Sequence, residues 1–175
     1  MEAKLSLFLD SFWLKDSKKM TNDRSFLKRA VKIAGSGIKE GGGPFGAVIT
    51  RDGKILAEAN NRVVLSHDPT AHAEVLAIRK ACEFLKTHDL SGCILYASCE
   101  PCPMCLGAIY WSGIRKVVYA SDRSDAEASG FNDSLIYSEI KLDPADRRVS
   151  FIHMPDAGGE EAFRIWEQFE SKIPY

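Results

Sequence analysis

CILYASCEPCPMCLGAIYWSGIRKVVYA, residues 93–120, decides the architecture. Cys93 to Ser98 is a continuous apolar run of strand length. Pro103 to Trp111 reads as a helix stopped by Ser112-Gly113, and Lys116 to Ala120 is a second apolar strand. Strand, helix, strand predicts a right-handed parallel crossover. Upstream, Asn22 or Asp23 can cap a helix in which Phe26, Ala30, Val31, Ala34 and Ile38 recur at helical spacing until Gly41-Gly42-Gly43-Pro44 stops it. Phe45 to Thr50 and Lys54 to Ala59 flank Arg51-Asp52-Gly53, the pattern of a hairpin. Asp68-Pro69-Thr70 sets up another helix with the stripe Val75, Ile78, Cys82 and Leu85, and with His72 and Glu74 in its first turn. Beyond a polar stretch around Gly130-Phe131-Asn132-Asp133 come a candidate strand at Val149 to His153 and a helix near Glu160 to Phe169. This order predicts an α/β fold, a three-layer α/β/α sandwich whose central mixed sheet of about five strands carries helices on both faces.

The chain has 175 residues, enough for one domain with its own core. Residues 1–20 are set apart by the charged run Lys15-Asp16-Ser17-Lys18-Lys19 and by Met20, which could itself be a start. They are expected to be a poorly ordered extension ahead of a folded domain at 21–175. A net charge of −1 leaves no basic excess to track a phosphate backbone, so nucleic acid is not the default partner. No apolar run approaches the roughly 18 residues of a membrane-spanning helix, and a cytoplasmic location is expected. The five cysteines are an odd count, and Cys99, Cys102 and Cys105 crowd together in a way that suits a metal better than a disulfide framework. Cys82 and Cys93 fall in apolar stretches and read as core.

Two segments carry the chemistry: His72-Ala73-Glu74 at the head of one helix and Pro101-Cys102-Pro103-Met104-Cys105 at the head of the next. Imidazole and thiolates are natural zinc ligands, and three protein ligands leave a fourth tetrahedral position for water. A helix start at Cys102 favours the thiolate form. Zinc brings the pKa of such a water toward about 7. Glu74, two residues from His72, can take its proton, pass it to a ring nitrogen of an amidine-like substrate and protonate the departing amine. The implied reaction turns C–NH2 and water into C=O and ammonia. Neither motif suffices alone, since Cys-x-x-Cys also serves redox sites and structural zinc knots; together, opening two predicted helices, they form the signature of zinc-dependent base deaminases. Cys99 leaves one alternative open, a four-ligand structural site made with His72, Cys102 and Cys105.

At this point the sequence resembles the cytidine-deaminase-like superfamily, and within it looks closest to bacterial guanine deaminases and plant guanosine deaminases. The resemblance runs from about residue 22 to Tyr175 on Gly42-Gly43-Pro44-Phe45-Gly46-Ala47-Val48-Ile49, Asp68-Pro69-Thr70-Ala71-His72-Ala73-Glu74-Val75, Ser98 to Ile109, and Gly130-Phe131-Asn132-Asp133. It implies zinc on His72, Cys102 and Cys105, with Cys99 outside the set and Glu74 as proton shuttle. It further implies that Phe45 stacks on the purine, that Asn61 bonds one polar edge, and that Asp133 binds the edge carrying the ring N–H and the amino group. Ala73 is counted with these substrate contacts. Trp111 reads equally as pocket wall or core contact. A homodimer with exchanged C-terminal segments is implied too, with Tyr175 closing the partner's pocket.

The expected reaction is therefore guanine to xanthine and ammonia. Guanosine, cytosine or another aminated base is the first alternative. A tRNA adenosine deaminase would have to grip a loop and read a flipped base, for which Arg115, Lys116 and Arg123 offer a local basic face. A zinc-stabilised interaction domain without activity is the alternative of a different kind.

Overall fold

The computed structural model describes residues 2–174, with side chains for residue 20 and for residues 22–174. It divides into two compact units, Met1–Asn132 and Asp133–Tyr175.

In the first unit helix α1 (Glu2–Lys39) leads into strands β1 (Gly46–Arg51) and β2 (Lys54–Asn60), the hairpin predicted around Asp52-Gly53. A single turn of helix, α2 (Val63–Ser66), precedes α3 (Ala73–Leu85). Strand β3 (Ile94–Cys99), helix α4 (Pro103–Trp111) and strand β4 (Lys116–Ser121) then form the crossover read from residues 93–120, and a short helix α5 (Arg123–Ala128) follows. The sheet order is β2-β1-β3-β4, antiparallel through β1 and parallel between β3 and β4.

Period-two alternation divides the core. On one face Ala47 and Ile49 of β1 and Leu95 and Ala97 of β3 pack with Ala73, Ala77, Ile78 and Ala81 of α3 and Ile109 of α4. On the other, Val48 and Tyr96 pack with Ala30, Phe26, Leu27 and Ile33 of α1. Three layers result, because strands buried on both faces need a helix over each. Cys93 lies in the first cluster and Cys82 packs against it, as expected of core thiols. Among the described residues the sheet has four strands rather than about five. The fifth expected strand, around 149–153, is coil, with Val149 and Ile152 exposed and no ladder to complete it.

The second unit holds α6 (Ser134–Glu139), two 3-10 turns at Pro144–Asp146 and Pro155–Ala157, and α7 (Glu160–Gln168). Glu139 accepts a hydrogen bond from the Arg148 amide at 2.7 Å, and the Arg147 guanidinium lies over the Phe151 ring. None of its described residues is buried. No helix among the described residues is long and apolar enough to cross a membrane.

Candidate metal centre

His72 and Cys102 occupy equivalent places, each the residue that caps the N-terminus of a helix, α3 and α4 respectively. Both have extended backbones, and neither side chain makes a capping hydrogen bond. A residue in this position ordinarily turns its side chain back on the first-turn amides. Here the backbone carbonyls still start the helices, accepting from Leu76 and Leu106, while imidazole and thiol stay free for other partners. Pro103 at the first position of α4 fixes the chain direction just after Cys102, and Cys105, fully buried, stands one turn on.

The three side chains meet. His72 Nδ1 lies 3.5 Å from Cys102 Sγ and 3.5 Å from Cys105 Sγ, and the sulfurs are 3.6 Å apart. Sulfur at about 2.3 Å and nitrogen at about 2.0–2.1 Å from a tetrahedral zinc stand about 3.8 Å (S···S) and about 3.5 Å (S···N) from each other. The observed triangle therefore has the edges of three corners of a zinc tetrahedron. Among the described residues this is the group of three or more such side chains that could hold a metal ion, and Cys99 is outside it. The Cys99 thiol instead donates to the Asp122 carbonyl at 3.4 Å, which answers the four-ligand alternative.

Electrostatics suit a cation. The hydrogen bond with Cys105 draws the Cys102 thiol down to about 4, helped by the imidazole and opposed by burial. That same hydrogen bond, followed by burial, pushes Cys105 up. His72 is raised, chiefly through its hydrogen bond with Cys102. With one thiolate already formed, the cluster would give up a further proton, from Cys105, to solvent when a cation binds. Glu74, in the first turn of α3, is only 6% exposed, and burial pushes its carboxyl up.

The other predicted residues are placed unequally. Phe45 and Asn61 are joined by a backbone hydrogen bond, Asn61 N–H to the Phe45 carbonyl at 2.9 Å, and Arg62 N–H bonds the Ala71 carbonyl at 3.0 Å. Two hydrogen bonds thus link the start of β1 to the residue before His72. Asn61 is buried, and its Oδ1 accepts from the Val63 amide. A side chain on Gly42 would sit 2.3 Å from the Asn61 carbonyl, so the glycine loop is what allows this close approach. Ala73 is fully buried in the core, whereas Trp111 ends α4 at 70% exposure. Asp133 opens the second unit, its carbonyl accepting from the Ile136 amide at 2.9 Å. Tyr175 lies outside the described residues. One contact was not read from the sequence: the Phe131 ring stands edge-on to Phe45, centroids 4.9 Å apart and planes at 85°. Its sequence signal was faint, an aromatic directly after a glycine that ends a short helix.

Residues 20–121 match the cytidine and deoxycytidylate deaminase zinc-binding region. The chain is 52% identical over 155 residues to a guanine deaminase of Bacillus subtilis, covering 88% of this chain and 99% of that one. It is 46% identical over 150 residues to a tRNA-specific adenosine deaminase of Aquifex aeolicus, covering 85% and 93%. The X-ray structure of guanine deaminase from Bacillus subtilis superposes with a TM-score of 0.85, covering 87% and 98% of the two chains. That of guanine deaminase from Nitrosomonas europaea gives 0.60 at 39% identity, covering 62% and 63%.

Proposed function

This chain belongs to the cytidine and deoxycytidylate deaminase family, and we propose that its reaction is the zinc-dependent hydrolysis of guanine to xanthine and ammonia. The observation that carries the reading is a metal triangle of zinc dimensions with a buried carboxyl two residues from its histidine. It stands in a chain that follows a guanine deaminase over nearly its whole length.

His72, Cys102 and Cys105 would hold the ion, which would lower the pKa of a water toward about 7 and so supply a nucleophile at neutral pH. Glu74 takes the proton that this water sheds as its oxygen bonds to the carbon bearing the amino group, and hands that proton to the adjacent ring nitrogen. It then carries the remaining hydroxyl proton to the amine, which leaves as ammonia while the carbonyl forms. The burial that pushes the carboxyl up suits a group that must both accept and return a proton.

Phe45 stacks on the purine, Asn61 bonds a polar edge, and Ala73 and Trp111 lie along the pocket. Asp133, a carboxylate with only acceptors to offer, takes the ring N–H and amino donors of guanine, an edge that adenine lacks. The likeness to a tRNA-specific adenosine deaminase favours a second reading. The balanced charge of the chain weighs against it.

The enzyme works as a homodimer with exchanged C-terminal segments, in which Tyr175 of one copy closes the pocket of the other. Support comes from apolar side chains left in solvent: Phe163, Ile165 and Trp166 on α7, and Tyr110 and Trp111 on α4. Its cysteines are free, which suits the reducing cytoplasm.

Purified protein loaded with zinc should convert guanine to xanthine with release of ammonia. Guanosine, cytosine and tRNA serve as the comparison panel. Protein that carries one zinc per chain and leaves guanine untouched would sink the proposal.

A further inference from the structure

Helix α5 is six residues long, yet both ends are stapled. At its start the Asp122 carboxylate accepts from the amides of Ser124 at 2.9 Å and Asp125 at 3.1 Å, and the Asp125 carboxylate accepts from Asp122 N–H at 3.1 Å. At its end Gly130, at φ +89°, turns the chain so that its own amide donates to the Glu127 carbonyl and the Phe131 amide to that of Ala126, both at 2.9 Å. This pair of crossed bonds is the Schellman motif, which needs the left-handed conformation that glycine adopts without strain. Asn132 adds a side-chain bond to Glu127 at 2.6 Å.

The stapled helix connects two parts of the site. The two residues before it are tied to the end of β3 and the turn that leads to Cys102, through Glu100 N–H to the Ser121 carbonyl and the Cys99 thiol to the Asp122 carbonyl. Its last turn delivers Phe131 edge-on to Phe45. The backbone of Phe45 is already pinned, its carbonyl by Asn61 N–H and the next amide by the buried Ser98 hydroxyl at 2.9 Å. A pinned backbone leaves rotation of the ring itself to be fixed, and an edge-to-face neighbour favours one ring plane.

We propose that Phe131 is a positioning residue for substrate: acting through Phe45, it sets the plane of the ring on which the purine stacks. The inference rests on the stacking role proposed above for Phe45. Phe131 is itself 45% exposed, so truncating it removes the ring contact without emptying the core.

The test is steady-state kinetics on guanine with zinc-loaded Phe131→Ala, Phe131→Leu and Phe131→Tyr. An aromatic pair of this geometry contributes enough that its loss should raise KM about three- to tenfold, with kcat held within about twofold. Leu keeps apolar bulk without a ring and should behave as Ala, whereas Tyr should restore the parental KM. A KM unchanged in Phe131→Ala, a loss confined to kcat, or rescue by Leu would overturn the inference and leave the proposed function standing. A wild-type protein inert toward guanine would overturn both.

Discussion

At Glu74 the distinction between holding a metal and moving a proton can be tested directly. The three candidate ligands are His72, Cys102 and Cys105, and Glu74 is not among them. Replacing it by the isosteric glutamine should leave zinc content and folding at parental levels. Guanine turnover should fall by at least about a hundredfold, the usual contribution of a positioned proton-transfer group. Zinc analysis beside an ammonia assay reads both, and retained turnover would refute the assigned role. The meeting of His72, Cys102 and Cys105 was legible from sequence because donor chemistry and helix-cap spacing are local properties. Spacing alone left Cys99 open beside them, and only the resemblance set it apart; the structure adds a thiol turned toward Asp122 across the sheet end. The Phe45 and Phe131 pair was illegible, as two rings far apart in sequence carry no mutual signal until the sheet and α5 bring them together.

Between elements, α1 is fastened to the sheet by polar as well as apolar contacts. Tyr96 of β3 is almost wholly buried, and its hydroxyl donates to Asp23 Oδ1 at 2.6 Å; Lys116 of β4 holds the other oxygen of the same carboxylate at 2.5 Å. Burial, and then the carboxylate, push the phenol up, so it stays a donor. Tyr96→Phe should cost about 1–2 kcal/mol by urea denaturation while zinc content and kcat hold, because it leaves Asp23 short of a partner on the face opposite α3 and α4. Further along, Arg29 grips both oxygens of Glu58 on β2 at 2.7 Å. That hydrogen bonding is the main reason the Glu58 carboxyl sits below its ordinary value of 4.5. A carboxylate lowered in the folded state stabilises above its unfolded pKa and loses that contribution as pH falls through the folded one. Glu58→Gln should therefore lower Tm modestly at neutral pH, and the gap from the parent should close as pH drops below about 4. A gap that widens in acid would contradict this. These elements were readable from sequence, since α1 repeats its apolar residues at helical spacing and β1 and β3, buried on both faces, are short continuous apolar runs. The ion pairs that lock them were not.

The molecule as a whole exposes more apolar surface than one chain would be expected to keep in water. Among the described residues of Asp133–Tyr175 none is buried, although α7 carries Phe163, Ile165 and Trp166, and Phe151 and Ile152 precede it. A stretch this short has too little interior to form a core unaided. Periodicity located α7 correctly and overcalled a strand before it, because an apolar stretch signals burial without saying against what. Burial by the second copy proposed above would account for the apolar side chains of α7 and of the coil before it. Sedimentation of the purified chain should accordingly give twice the chain mass at micromolar concentration. Phe163→Glu, a charge placed in the apolar face of α7, should shift that mass toward a single chain and abolish guanine turnover if the proposed exchange completes the pocket. The zinc triangle, built wholly within the first unit, should stay loaded in that variant. A wild-type chain that sediments as a monomer while deaminating guanine at full rate would rule out the exchange.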